Sequence, residues 1–600
     1  MKINKLYIAG IAAVMMGLTG CVGDLDQLPK DPQTLVPEDF NENPREYLSG
    51  AAAKCYSGIA VSGQGGSGSS EMSGIDNGTG CWSRAIFMLN EFTTDETSWI
   101  WKDAGVFDLC TDTWSANNEN IFGCYSRLYV HIAVCNDFIR LTRNLGAYGI
   151  DINQGEGKGI SQNEIDQFVQ EARALRALSY YYVVDIFGNG AFAWDDQEAG
   201  QAPQYIKRAD LFDKVTADLE DLLENWDEVH GKGSTPVYGR IGKDAVEALL
   251  CKFYLNGEVY RGVNTLSDGT NTFAKCLQHC QNIISRHQGG PLGNGLAASY
   301  LSLFCYNNDM FAPGGSLPAQ NEILWTIPYS YELTESYGGS FFLLASALPK
   351  KNDFGVTNSW YGIHSDALWE CMHARTQFSE KFPMSGGVSA NGDERTYLWL
   401  TDPAGFSINN TDFSTMTDGY APIKFTNVKC NPDGTMPMWK DPSGLNRVGV
   451  RYNDSAAENY GIPYDAKFCD TDYPVIRLAE IYLTAAEAIL RGGGGSTADA
   501  LKYVNFVRQR AGLTEGSIWS EANLTLENIL DERARELYWE NCRRTDLVRF
   551  NMFAGDNYNW NWKNNVPEGA GIGQHMNLFP IPTQVIYSYA GAAFPQNPGY

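Results

Sequence analysis

The segment DETSWIWKDAG, Asp95 to Gly105, sets Trp99 and Trp101 two positions apart in a polar, Thr-rich neighbourhood. In an extended chain side chains alternate, so both rings fall on one side and Ile100 on the other. Two chemistries suit such a pair: plugging a core, as most aromatics do, or forming an exposed platform on which a ligand stacks. These residues alone leave both readings open. Other motifs are weaker. The acidic pairs Asp95–Glu96 and Asp195–Asp196 are compatible with glycoside hydrolysis, whose general acid and base are carboxylates. With 71 acidic residues in the chain such pairs are commonplace, and most are expected as solvated surface. Cys276, His279 and Cys280 fall within one predicted helix but lack a second ligand pair for zinc. Gly63, Gly65 and Gly68 spell G-x-G-x-x-G. No strand leads into them and no helix opens after them, so residues 62–80 are expected to form a flexible loop rather than a dinucleotide site. There are only seven His, and no H-E-x-x-H, G-x-S-x-G or Walker A motif occurs. Nothing in the chain asks for an enzyme.

The elements that must position these residues are mainly helical. FVQEARALRALSYYYVVDIFG (168–188) carries Phe168, Ala172, Leu175, Leu178 and Tyr182 as one apolar stripe at three- and four-residue steps, closed by Gly188. LFDKVTADLEDLLENW, KDAVEALLCKFYLNGEVY and ALKYVNFVRQRAG read the same way. So does PVIRLAEIYLTAAEAILR, with Pro474 as a start signal and Gly492 as a stop. Ala and aromatics at tight contacts suggest tetratricopeptide-like helix pairs, although no strict 34-residue period repeats. Between about Ser302 and Asp472 the pattern turns to Gly, Pro, Asn and short β-like runs such as NEILWTIPY. Loops and small sheets are expected there, and binding sites favour such loops. The predicted fold is thus mainly α, with helix pairs supporting a loop-rich region with small β elements.

The composition sets further bounds. The chain has 600 residues, 44% of them hydrophobic, which is globular and large enough for a substantial core. A formal net charge of −26 argues against nucleic acid or an anionic membrane surface as partner. Lys2 and Lys5 precede an apolar run, Leu6 to Leu18, that is too short to span a bilayer. It ends in LTGC, which resembles the bacterial lipobox. Cleavage before Cys21 removes a signal peptide of residues 1–20 and leaves a lipidated N-terminal cysteine. Each buried acyl methylene then contributes about 0.8 kcal/mol to membrane anchoring. The acidic VGDLD that follows resembles the export tag of cell-surface lipoproteins. Residues 21–600 are read as a single domain. Its helical scaffold is expected at about 40–300 and 473–550, and its loop-rich binding half at about 62–115 and 301–472. Of the 14 cysteines, the thirteen after Cys21 cannot all pair, and most are expected as small buried apolar residues.

Several longer segments recur together, in this order, in one family. They are EARALRALSYYYVVDIFG, DYPVIRLAEIYLTAAEA, ILDERARELYWENCRRTDLVRF and the ending LFPIPTQVI…QNPGY. With the lipobox they resemble the SusD/RagB family of outer-membrane lipoproteins that bind glycans. The resemblance implies non-catalytic capture of oligosaccharides at the cell surface for a SusC-like TonB-dependent transporter, with attachment to the outer membrane through Cys21. Arg533, Arg535, Arg543 and Arg544 alternate with acidic residues, which suits inter-helix ion pairs rather than ligand contacts. The resemblance is nearest the starch-binding branch. There TDETSWIWK supplies an aromatic pair, so Trp99 and Trp101 take platform positions, with Arg84 and Asp76 before them. Tyr337 in SYGGS and Trp360 in TNSWYG take further aromatic positions. The branch has Asn three residues after its second Trp; here that residue is Ala104, and Asp103 stands beside it. The implied ligand is a starch-like α-glucan, whose curved apolar face an arc of rings can follow, with Arg84 donating to sugar oxygens and Asp76 accepting from hydroxyls. A buried ion pair with no sugar role is the plain alternative for those two. Asp309, Asp470 and Asp472, with Asn321, resemble the branch's oxygen ligands for a structural calcium; ordinary loop and cap aspartates are the alternative. No other cofactor is required. A surface glycoside hydrolase, or a capture lipoprotein for another glycan or a peptide, are the rival functions.

Overall fold

Several helices open on a side-chain cap: Asn43, Asn118, Ser161, Asn271, Ser496 and Thr525 each accept from a first-turn amide. The computed structural model describes residues 41–600 apart from 73–74, 102, 198–200, 291, 310–321, 348–367, 370, 383, 386–387, 390, 401–420, 432–434, 441–445, 449–466 and 590–593. Cys21, Asn321 and Trp360 lie outside the described residues. The longer helices are α1 (Pro44–Ala60), α2 (Trp82–Asn90), α3 (Glu119–Arg143), α4 (Gln162–Tyr182), α5 (Arg208–His230), α6 (Lys243–Leu255) and α7 (Thr272–Arg286). After the loop-rich region, which carries α8 (Gly339–Ala347), come α9 (Leu478–Leu490), α10 (Thr497–Arg510), α11 (Leu526–Leu537) and α12 (Arg543–Arg549). α4 opens on a capping box, in which Ser161 and Glu164 each accept from the other's backbone amide. It therefore starts before the apolar stripe at Phe168. A π-helical turn, Val183–Phe187, carries it to Gly188 at φ +69°.

The helices stack pairwise: α3 on α4, α4 on α5, α5 on α6, α6 on α7. α7 then packs on α9, and α9 on α10 and α11, so the scaffold closes across the long insertion between them. The fold is mainly α and built of stacked helix pairs. One hydrophobic cluster runs from Ala52 to Phe594. All thirteen described cysteines are buried, and no disulfide joins any two of them. No helix among the described residues is long and apolar enough to cross a membrane.

Two short ladders tie distant parts of the chain together. β1 (Ser98–Trp99) pairs antiparallel with β3 (Met372–His373), Trp99 opposite Met372. β2 (Ile323–Ile327) pairs antiparallel with β4 (Tyr473–Arg477). Pro474 thus lies in a strand, and α9 begins at Leu478 rather than at the proline. A two-stranded ladder always leaves an outer edge where no N–H is needed, and Val475 and Ile476 favour extended backbone. The segment 529–550, read as one helix, breaks into α11 and α12. Trp539 and Asn541 take φ of +62° and +60°, and the Trp539 amide donates to Glu96 Oε2 at 2.8 Å instead of continuing the helix. The Gly/Ser loop is pinned rather than loose. Buried Arg127 donates to the Gly80 and Ser62 carbonyls, both at 2.6 Å, and pairs with Glu71 at 3.0 Å.

Candidate functional site

Residues from five parts of the chain meet in a cleft of about 440 Å³. α2 brings Arg84; the turn before it brings Asp76; β1 and the loop after it bring Trp99, Trp101 and Asp103; Tyr337 precedes α8. The β1–β3 ladder, extended by the Ile100 amide donating to Cys371 O at 2.9 Å, carries Trp369 in beside them.

The two tryptophans divide the two roles. Trp99 is 2% exposed and Trp101 38%. Their rings meet edge to face, centroids 5.5 Å apart at 77°, so both do not present their faces to one side. Trp99 also stacks on buried Phe342 at 5.9 Å and 23°, and its Nε1 donates to Asp103 Oδ2 at 2.8 Å. Trp99 is a core ring that backs the cleft, and Trp101 is the ring left exposed in it. Trp369, which no sequence motif marked, lies 6.3 Å from Trp99 and 6.4 Å from Tyr337, nearly parallel to the tyrosine at 29°. The Tyr337 hydroxyl meets Lys467 Nζ.

Arg84 sits beneath this surface. Its guanidinium lies over the rings of Phe342, Trp369 and Trp99 at 4.6, 5.5 and 5.7 Å. Nη1 donates to Tyr337 O at 3.3 Å, and the buried Nε has no protein partner among the described residues. Burial pulls its pKa down from the usual arginine value, and Asp76 opposes that pull. Gly78 permits the packing: a Cβ there would stand 2.3 Å from Arg84 Nη1. Asp76 uses one oxygen, Oδ1, to accept from the Gly78 and Thr79 amides at 3.0 and 3.2 Å and from the Thr79 hydroxyl at 3.3 Å. This side chain builds the turn as well as lining the cleft. The structure therefore brings together Asp76, Arg84, Trp99, Trp101 and Tyr337.

The acidic pair Asp95–Glu96 is sealed, which corrects its reading as solvated surface. Arg543 grips Asp95 with two bonds of 2.7 and 2.8 Å, and Tyr558 adds a third at 2.7 Å. Burial pushes the neighbouring Glu91 carboxyl up to about 7 and, with Glu91's charge beside it, drives Glu96 well above the carboxylate range. Neither side chain reaches solvent, so the pair cannot serve a substrate as acid and base. Asp195 is likewise buried, between Arg176 and Arg143. His279 bonds Glu247 at 3.0 Å and Glu220 at 3.2 Å. Among the described residues no three His, Cys, Asp or Glu side chains converge to hold a metal ion.

That bears on the calcium expectation. Asp472 accepts from the Tyr329 amide at 2.7 Å with Oδ1 and from the Tyr238 hydroxyl with Oδ2. Asp470 Oδ1 accepts from the Tyr331 amide at 2.6 Å. Burial raises all three aspartates, Asp472 to about 8, and the negative charges of its neighbours add to the effect. Calcium takes six to eight oxygens, and these oxygens of Asp470 and Asp472 already serve backbone and tyrosine donors.

Residues 387–600 match the SusD family. The whole chain is 28% identical to the starch-binding protein SusD of Bacteroides thetaiotaomicron, covering 100% of this chain and 99% of that one. Its C-terminal third carries the SusD family's pattern, and its whole length is similar to that relative. Among solved structures, a SusD superfamily protein from Parabacteroides distasonis matches with a TM-score of 0.61 at 18% identity, over 93% of this chain and 99% of its own. A structure described with a xylogluco-oligosaccharide matches at 0.58 and 17%, over 90% and 96%. These two show the shared fold.

Three of the four C-terminal arginines form ion pairs, though only that of Arg533 joins two helices. Arg533 pairs with Asp546, Arg535 with Glu532 and Arg543 with Asp95, each at 2.7 Å. Arg544 instead donates to Met576 O at 3.0 Å between Phe553 and Phe579, and burial pulls it down to about 10. Asn120 and Glu119, unmarked by any motif, also line the cleft. Their only sequence signal is a cap position, Asn118, seventeen residues beyond Trp101.

Proposed function

We propose that this chain is a non-catalytic glycan-binding lipoprotein of the outer-membrane surface, taking starch-like α-glucans into the Trp101 cleft. The observation that carries the reading is the exposed Trp101 face standing on a buried ring, with Trp369 and Tyr337 beside it and polar groups at its margin. Pyranose faces are apolar and stack on such rings, and hydroxyls supply direction to acceptors and donors nearby. The similarity to starch-binding SusD along the whole chain favours α-linked glucose over other glycans. Lipid at Cys21 is the proposed anchor and a SusC-like TonB-dependent barrel the proposed recipient, since a captured oligosaccharide must still cross the membrane.

A glycan array containing maltooligosaccharides, amylopectin, xyloglucan and cellulose oligomers tests the ligand. Binding to α-glucans without chain shortening is the expected result. Shortening at enzyme-like rates would establish a hydrolase instead, and an array empty of glucans would favour peptide or other-glycan capture. Solubilised membranes should yield the barrel together with this chain in a pulldown. Repeated recovery of the chain alone, under conditions that keep such pairs intact, would remove the transporter from the proposal.

A further inference from the structure

Two carboxamides strap the loop that follows Trp101 onto the start of α3. Asn118 caps the helix, accepting from the Asn120 and Ile121 amides at 3.0 and 3.3 Å, and its Nδ2 donates to Gly105 O at 2.8 Å. Asn120 Nδ2 donates to the neighbouring carbonyl, Ala104 O, at 3.1 Å. Gly105 has φ +69°, and a Cβ there would stand 2.8 Å from Asn120 Nδ2, so glycine is what allows the loop this close. Asn120 is only 5% exposed, yet it lines the cleft with Asp103, Trp101 and the exposed Glu119.

The bond to Ala104 uses one proton of the Asn120 amide. A second N–H and the Oδ1 lone pairs remain for an occupant of the cleft. The bond also fixes the carboxamide in advance, which lowers the ordering cost of any contact it makes. Glu119 and Asp103 only accept, so this margin favours a ligand edge that carries hydroxyl donors. Asp103 is already bonded to Trp99 Nε1, which leaves Glu119 as the freer acceptor.

We propose that Asn120 and Glu119 are specificity residues of this cleft, hydrogen-bonding the hydroxyl edge of the sugar ring that stacks on Trp101. The inference rests on the glycan reading above and adds to it how one linkage is told from another. Stacking tolerates any ring with an apolar face. Fixed donors and acceptors at its edge distinguish a ring by the orientation of its hydroxyls.

Calorimetry with maltoheptaose and cellohexaose on full-length protein tests this, using Trp101→Ala, Asn120→Ala and Glu119→Ala. Asn120→Ala should weaken maltoheptaose binding about three- to tenfold, and Glu119→Ala, which removes a bond to a charged group, about tenfold. Both should move the ratio of the two dissociation constants towards one, a change that mere loosening of the loop does not produce. Glu119 is exposed, so its variant reports even if Asn120→Ala melts early. If Trp101→Ala weakens binding while Glu119→Ala and a folded Asn120→Ala bind both sugars as the parent does, the specificity role is wrong and the glycan reading stands. If the parent protein binds neither sugar, or Trp101→Ala changes nothing, the glycan reading fails and this inference with it.

Discussion

Replacing Trp101 by alanine separates platform from core. A tryptophan offers roughly 250 Å² of surface, and at 38% exposure about 95 Å² of this one remains uncovered. A sugar covering half to all of that gains about 1.2–2.4 kcal/mol at ~25 cal/mol per Å², and stacking adds roughly 0.5–1.5 kcal/mol by analogy with aromatic pairs. Ordering the sugar takes back part of the sum. A net loss of about 1.5–2.5 kcal/mol is left, roughly a ten- to seventyfold weaker dissociation constant. The fold should lose far less than at Trp99, because Trp101 is 38% exposed and Trp99 only 2%. Titration calorimetry with maltoheptaose, paired with thermal melts in the absence of sugar, reads both quantities. A variant that melts like the parent and binds like the parent would refute the platform. So would one that melts many degrees lower while its folded fraction binds normally.

Trp99→Ala should show the opposite pattern, losing about 3–5 kcal/mol of stability in chemical unfolding, as truncated core aromatics do. Gly78→Ala should displace the Arg84 guanidinium and weaken glucan binding several-fold, measured by the same calorimetry, with Gly68→Ala as a neutral control because its Cβ meets nothing within 4 Å. Asp472 gives a pH prediction. Its folded pKa of about 8 lies above the ordinary value of 3.8, so the folded state holds the proton that the unfolded chain releases. Its favourable contribution is complete below about pH 4 and is lost as pH rises towards 8. Asp472→Asn should therefore gain stability relative to the parent by roughly 1.4 kcal/mol per pH unit across that window. A flat difference between the two proteins would refute the assignment. Excess chelator should leave the melting temperature unchanged, and a drop reversed by calcium would restore the calcium reading.

The helical scaffold was legible because its signals are local. Apolar spacing and glycine stops place α4, α5, α6 and α10, and the loop-rich change of composition after Ser302 marks where the long helices cease. The misreadings have tertiary causes. Pro474 and Ile476 have partners in the strand Ile323–Ile327, over a hundred residues away, and no window around Pro474 contains it. The break at Trp539 depends on Glu96 accepting its amide. Within the cleft, Asp76, Arg84, Trp99, Trp101 and Tyr337 came from family resemblance rather than from spacing. Trp369 reaches the cleft only through the pairing of β1 with β3. Asn120 reaches it only because the loop at Ala104 folds back onto a helix cap.

The same long-range contacts explain why segments that touch no ligand accompany the aromatic pair. β1 is held from behind by groups from several distant parts of the chain. Arg543 of α12 grips Asp95, the Trp539 amide grips Glu96, and Arg375 donates to the carbonyls of Thr97, Phe92 and Cys110 at 3.1, 3.0 and 2.7 Å. Among the described residues Arg375 bonds no carboxylate. Its guanidinium instead satisfies backbone oxygens of the segments around β1. Two residues of strand could not fix a tryptophan's orientation by themselves. Buried charges from the far end of the chain do so, and removing one partner of such a pair typically costs 3–5 kcal/mol. The C-terminal helices thus position the Trp99–Trp101 wall without ever facing the cleft.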